Sequence, residues 1–212
     1  RGRPGRPGAM IPIKPLEGGR SAPAPAAGAA GQGAAPGVTE PAPLSLYVHL
    51  PWCIRKCPYC DFNSHEFRDG DSPPEDRYVD VLIADLESAL PSVWGRSVQT
   101  VFIGGGTPSL FSPEAIERLL AAVRARLRLA PGAEVTMEAN PGTFEAARFR
   151  GYAQAGVTRL SIGVQSFSND ALAALGRIHD ADQARRAIET AIDAFETFNI
   201  DLMYALPGQS LA

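Results

Sequence analysis

Cys53-Ile54-Arg55-Lys56-Cys57-Pro58-Tyr59-Cys60 follows closely on Leu44-Ser45-Leu46-Tyr47-Val48-His49-Leu50, and the reading of the fold turns on these two stretches. Leu44–Leu50 reads as a strand. The cysteine stretch holds all three cysteines of the chain within eight residues. An odd, clustered set is no disulfide framework, and in a chain without an export signal it points to metal. The spacing is C-x3-C-x2-C, on a loop after a strand, where α/β folds carry their function. Thiolates are the normal ligands of iron–sulfur clusters, usually four per cluster, so three leave one iron without a protein ligand. A vacant metal position is what a catalytic site keeps and a structural site fills. Two other readings stay open: a zinc ion whose fourth ligand is His49 or His65, and cysteines that are merely structural.

Outward from this loop, strands and helices alternate. Pro73 and Pro74 precede a helix with Tyr78, Val81, Leu82, Leu86, Ala89 and Leu90 on one face. Gln99–Ile103 is a buried strand running into Gly104-Gly105-Gly106. Ser112-Pro113-Glu114 starts a helix with a cap, a first-turn proline and an acid at the positive end of the dipole. Ile116, Leu119, Leu120, Val123 and Leu127 follow at helical spacing. Glu134–Glu138 is a strand, Thr143–Ala155 a helix closed by Gly156, and Thr158–Gly163 a strand. Ser168–Phe195 is helical with a break near Gly176. Asn199–Met203 is the last strand, ended by Leu206-Pro207-Gly208. This order predicts a parallel sheet with right-handed crossovers, which suits both an open Rossmann-type sheet and a partial (β/α) barrel.

Residues 1–42 differ in kind. Nine glycines and eight prolines among them leave no hydrophobic period and almost nothing large to bury, so a disordered Gly/Pro/Ala-rich tail is expected there. A linker, or a segment upstream of a start at Met10, fits better than a transit peptide. The core domain is assigned to residues 43–212. Both ends read as incomplete, since the sequence begins at Arg1 and stops at Ala212 soon after a strand. A net charge of −3 offers no electrostatic case for nucleic acid. No apolar run approaches the ~20 residues of a membrane helix, and no signal peptide is visible, so a cytoplasmic protein is expected.

Several further motifs lie where strands end. Gly104-Gly105-Gly106-Thr107 follows the second strand, and its glycines allow close backbone approach and free N–H groups for a carboxylate. Glu138 closes the third strand in Met137-Glu138-Ala139-Asn140-Pro141. Gln165 follows the fourth, Arg177 lies in Leu175-Gly176-Arg177-Ile178-His179, and Asp201 is on the fifth. Each alone has a bland reading as a tight turn or a solvated strand-end residue.

Together with the cysteine triplet, and the aromatic Tyr59 before its last cysteine, these motifs resemble the radical-SAM family from Leu44 onward. The resemblance implies a partial (β/α) barrel of the radical-SAM type, here truncated after about five strands. It implies a [4Fe-4S] cluster on Cys53, Cys57 and Cys60, with S-adenosyl-L-methionine on the open iron. It further implies that Gly105, Gly106 and Thr107 form the loop meeting the methionine end of that cofactor. Glu138, Gln165, Arg177 and Asp201 match the cofactor site of the coproporphyrinogen-dehydrogenase-like branch, and Tyr47 and Tyr59 match two further contacts. His179 is left out of the site, and no catalytic residue is assigned. Dehydrogenases of this branch carry a fourth cysteine two residues after the third; here that position is Phe62, and Cys60-Asp61-Phe62-Asn63-Ser64-His65 resembles the heme chaperones of the branch instead. That resemblance implies heme or porphyrinogen as ligand, with heme bound through a domain missing from this chain. It also implies an electron donor such as flavodoxin or ferredoxin, and acceptor hemoproteins. The coproporphyrinogen III dehydrogenase and a zinc-binding structural α/β module are the alternatives.

Overall fold

The computed structural model describes residues 42–66, 73–206 and 208–210. The tail expected over residues 1–42 thus lies, except for its last residue, outside the described part. The strands are β1 (Leu44–Leu50), β2 (Trp52–Cys53), β3 (His65–Glu66), β4 (Ser97–Gly105), β5 (Arg128–Ala139), β6 (Arg159–Gln165) and β7 (Thr197–Leu202). The helices are α1 (Glu75–Val93), α2 (Pro113–Arg126), α3 (Thr143–Ala146), α4 (Phe149–Ala155), α5 (Asn169–Ala174) and α6 (Ala181–Ala194), with a 3-10 turn at Pro108–Leu110.

Five strands form one parallel sheet in the order β1-β4-β5-β6-β7. That order is the order of the chain. A doubly wound nucleotide-binding sheet reverses its strand order at a switch point, and this sheet never does, so the barrel-type reading holds. The helices follow suit: α1 packs on α2, α2 on α4 and α4 on α6. They cover one face of the sheet, where Leu50, Ile103, Met137, Leu160 and Ile162 are fully buried with Ile116, Leu120, Phe149 and Tyr152. The alternation of side chains along each strand sends the polar set to the opposite face. There Arg159 bonds Asn199 at 2.6 Å and Ser161 bonds Asp201 at 3.4 Å.

Local signals act as the sequence predicts at several junctions. Ser112 Oγ accepts from Ala115 N at 3.2 Å, with Pro113 at the first position of α2. Gly156, left-handed at φ 102°, closes α4. Asp180 and Gln183 add a reciprocal capping box on α6 that was not singled out from the sequence. The expected Ser168–Phe195 helix is broken by the turn at Gly176, leaving α5 and α6.

Four expectations need correction. The buried side of α1 runs through Val79, with Tyr78, Leu82 and Ile83 packed against the core, whereas Val81 and Ala89 are exposed. The Thr143–Ala155 helix is split: Arg148 N donates to Glu145 O in a tighter turn, and the Arg148 guanidinium reaches out to Leu110 O at 2.7 Å. β5 starts earlier than Glu134, because Arg128 and Leu129 pair with Ser97 and Val98 before Pro131-Gly132 bulges out of the ladder. The last strand is Thr197–Leu202, shifted two residues back from the expected start, with Phe198 packed on the core.

Candidate cofactor site

The cysteine loop is pinned at both ends. β2 and β3 pair Trp52 with His65 and Cys53 with Glu66. Lys56 lies inside, donating its backbone N to Glu66 Oε1 at 2.5 Å and its ammonium to Phe62 O at 2.8 Å. Cys60 N closes a turn on Cys57 O at 3.0 Å. All three thiols are free, Cys53 buried and the other two partly so. They line one pocket with Tyr59, Gly106, Thr107, Glu138, Gln165, Arg177 and Asp201. Glu138, Gln165 and Asp201 arrive there at or near the C-terminal ends of β5, β6 and β7, the rim on which barrel folds place their sites.

Several polar groups in the pocket are held by partners. Glu138 Oε2 accepts from Gly105 N at 3.0 Å. Burial raises the Glu138 carboxyl above the ordinary range, Asp201 adds to the rise, and the Gly105 bond opposes it. Gln165 is left-handed at φ 66°, an uncommon state for a side-chain-bearing residue and one that clusters at functional sites. Arg177 donates to Gly163 O at 2.6 Å, Asn140 Oδ1 at 2.9 Å and Cys57 Sγ at 3.6 Å. Its Nε is buried without a partner among the described residues. Thr107 Oγ1 donates to Cys53 Sγ at 3.5 Å. Burial still raises the Cys53 thiol, and the Thr107 and Ser64 hydroxyls offset part of that.

Two predicted residues stand apart from the pocket wall. Tyr47 is 57% exposed on β1, stacked on Phe102, with its hydroxyl 2.9 Å from His49 Nδ1. It feels the Glu138 charge, which adds to the upward push of burial on its phenol. Gly105 lies behind the wall: a Cβ there, at φ 122°, would sit 2.7 Å from the His49 ring. The expectation of free N–H groups on the glycine loop is also overturned. Gly105 N is taken by Glu138, Gly106 N by Leu50 O at 2.8 Å and Thr107 N by Trp52 O at 2.7 Å. These glycines serve close packing of the loop on the β1–β2 junction, where a Cβ on Gly106 would meet Trp52 O at 2.6 Å.

The fourth ligand a zinc ion would need finds no support at His49, whose ring nitrogens bond Tyr47 and Asn63 O, or at exposed His65 on β3. Among the described residues no three His, Cys, Asp or Glu converge tightly enough for a bare metal ion. A cluster of several irons spreads its thiolates wider than one ion does. Three free thiols around one pocket, with hydroxyl and guanidinium donors on two of them, fit such a cluster. Sequence reasoning missed Asn140, Arg55 and Ser161, which also line the pocket. Of these only Asn140 carried a signal, as a polar residue before proline at a strand end.

The chain-ordered parallel sheet, with its pocket at the strand C-termini beside a thiol loop, defines a ligand-binding protein of partial (β/α)-barrel type. A sequence model of the Radical SAM superfamily matches residues 47–212, and the chain belongs to that superfamily. Membership implies a [4Fe-4S] cluster and S-adenosylmethionine. The chain is 58% identical over 170 residues to the heme chaperone HemW of Escherichia coli (strain K12), covering 80% of this chain and 44% of that protein. It is 49% identical over 174 residues to the heme chaperone HemW of Haemophilus influenzae, covering 80% and 45%. Among solved structures, the E. coli coproporphyrinogen III oxidase HemN, a radical SAM enzyme, matches with a TM-score of 0.71 and 32% identity over 79% of this chain and 38% of that one. The chain therefore spans less than half the length of these relatives.

Proposed function

We propose that this chain is the cluster- and cofactor-binding part of a heme chaperone. The observation that carries the reading is the convergence of Cys53, Cys57 and Cys60 on one pocket with Glu138, Gln165, Arg177 and Asp201. In this reading the three thiolates hold a [4Fe-4S] cluster. When bound, the cluster and S-adenosylmethionine supply one-electron chemistry at the open iron. The chain's own groups hold the cofactor. Arg177 has one buried donor unsatisfied, which a carboxylate would satisfy. Glu138 and Asp201 are acceptors for an ammonium group or ribose hydroxyls, Gln165 offers both a donor and an acceptor, and Tyr59 gives an aromatic face. Gly106 and Thr107 form the adjoining wall, while Tyr47 acts from β1 through Glu138.

Heme, in this reading, is held by a part of the full-length protein outside this chain, then passed to acceptor hemoproteins. An electron donor such as flavodoxin or ferredoxin would supply the cluster. Among the described residues no helix is long and apolar enough to cross a membrane. Free cysteine thiols suit the reducing cytoplasm, where we place the protein. The second reading, an oxygen-independent coproporphyrinogen III dehydrogenase, draws on the likeness to HemN. Phe62, at the position of the fourth cysteine of those enzymes, favours the chaperone.

The test of the site is anaerobic reconstitution followed by iron and acid-labile sulfide analysis. The expected result is a brown protein with about four irons, lost in Cys53→Ala, Cys57→Ala and Cys60→Ala. Zinc without sulfide, or a cluster retained by the triple variant, would sink the assignment and favour a zinc-binding structural module.

A further inference from the structure

Asn140 touches no thiol, yet it links two of them. Its Oδ1 accepts from Arg177 Nη2 at 2.9 Å and its Nδ2 donates to Thr107 Oγ1 at 3.2 Å. Beyond those partners, Arg177 Nη1 donates to Cys57 Sγ at 3.6 Å and Thr107 Oγ1 to Cys53 Sγ at 3.5 Å. The direction of every bond is set by chemistry. A guanidinium only donates, so the amide oxygen must face Arg177 and the amide nitrogen must face Thr107. Thr107 Oγ1 then accepts from Asn140, which turns its one proton toward Cys53 Sγ. The backbone that carries this side chain is itself anchored, since the main-chain Asn140 N donates to Ser109 Oγ at 3.1 Å. Thr107 is buried, so water does not compete for the hydroxyl.

We propose that Asn140 is a positioning residue that aims the Thr107 hydroxyl at Cys53 and steadies Arg177 on Cys57, and so sets the reduction potential of a cluster held by those thiols. This rests on the cluster reading above. A donor to a ligand sulfur stabilises the more negative, reduced cluster and raises its potential; removing the donor lowers it. Asn140 is thereby assigned a place in the electron chemistry that its position alone, one residue before Pro141, does not announce.

The experiment is a redox titration of the anaerobically reconstituted chain, followed by electron paramagnetic resonance. Thr107→Val, nearly isosteric, keeps about four irons and lowers the potential by about 59 mV, a tenfold change in a one-electron equilibrium. Thr107→Ser restores the wild-type value. Asn140→Ala shifts the potential in the same direction, and the Thr107→Val/Asn140→Ala double variant shifts by less than the sum, since part of each effect passes through one hydroxyl. Intact clusters with unchanged potentials in Thr107→Val and Asn140→Ala would overturn the relay and leave the site standing. A wild-type chain that takes up no cluster would overturn both. Should Asn140→Ala fail to fold, the valine–serine contrast at Thr107 decides: equal potentials there remove the relay.

Discussion

His179 shows what burial does to one side chain next to this site. It is 5% exposed, its Nε2 donates to Val164 O at 3.1 Å, and burial together with Arg177 pushes its pKa down to about 4. The folded chain thus keeps it neutral where the unfolded chain, with an ordinary pKa near ~6.5, takes up a proton. Stability rises with pH where the unfolded state binds more protons. Its contribution is therefore complete above pH ~6.5, falls as the pH drops toward about 4, and levels off below that, a loss of about 3 kcal/mol. Glu138 and Glu145, both pushed upward by burial, work in the opposite sense as carboxyls. A difference measurement separates them. His179→Gln keeps a donor for Val164 O and cannot titrate, so urea denaturation at pH 7 and pH 4 should show a steeper acid loss in wild type. Parallel losses would mean that His179 is not held neutral. Single residues also mark the limit of sequence reading. Glu138, Gln165 and Asp201, singled out together by the family resemblance, line one pocket with the thiols. Asn140 was passed over although it precedes a proline at a strand end, because its partners Thr107 and Arg177 lie 33 and 37 residues away.

At the scale of elements, long segments were located correctly, although the buried face of α1 and the start of β5 were not, and short or tertiary-determined elements were missed. α2 carries its cap, proline and apolar stripe in the sequence itself. β2 and β3 have two residues each and no period to detect; they exist because Trp52–Cys53 finds His65–Glu66 across the loop. The division of α3 from α4 is likewise invisible locally, since each piece has helical composition. The glycine loop was located correctly, but its role was misjudged, because packing against β1 shows only in three dimensions. That role gives a stability prediction. Gly105→Ala would carry left-handed strain and a clash with His49 and Leu50 O, whereas Gly132→Ala, at φ 72° in the β5 bulge with nothing within 4 Å, would carry strain alone. The first should cost about 3 kcal/mol or more and the second about 1. Calorimetry should then show a drop in Tm for Gly105→Ala well beyond that for Gly132→Ala. Equal drops would mean that His49 yields freely and the loop is not tightly packed.

For the whole molecule, alternating elements predicted a parallel sheet but left two architectures open, since strand order is not written in any local pattern. The structure decides by adding each strand beside its predecessor. In the proposed reading, function at this scale belongs to a protein longer than the chain, so its test uses the full-length protein. With reductant and S-adenosylmethionine it should form no protoporphyrinogen from coproporphyrinogen III, yet take up heme with a Soret band. The 212-residue chain should bind heme weakly if at all. Stoichiometric decarboxylation by the full-length protein would instead make Phe62 irrelevant and establish the dehydrogenase. The chain-ordered sheet also has a consequence for synthesis. Every strand can dock as it leaves the ribosome, but the thiol loop comes first and the groups opposite it come last. Cys57 precedes its donor Arg177 by 120 residues, and at ~5–20 residues per second that is roughly 6–24 s. Throughout that interval the nascent protein carries three thiols without the Arg177 guanidinium that donates to Cys57. In the proposed reading, iron delivered before the ribosome reaches Arg177 would meet a half-built cradle, so assembly of the metal centre belongs after translation of β6 and α5.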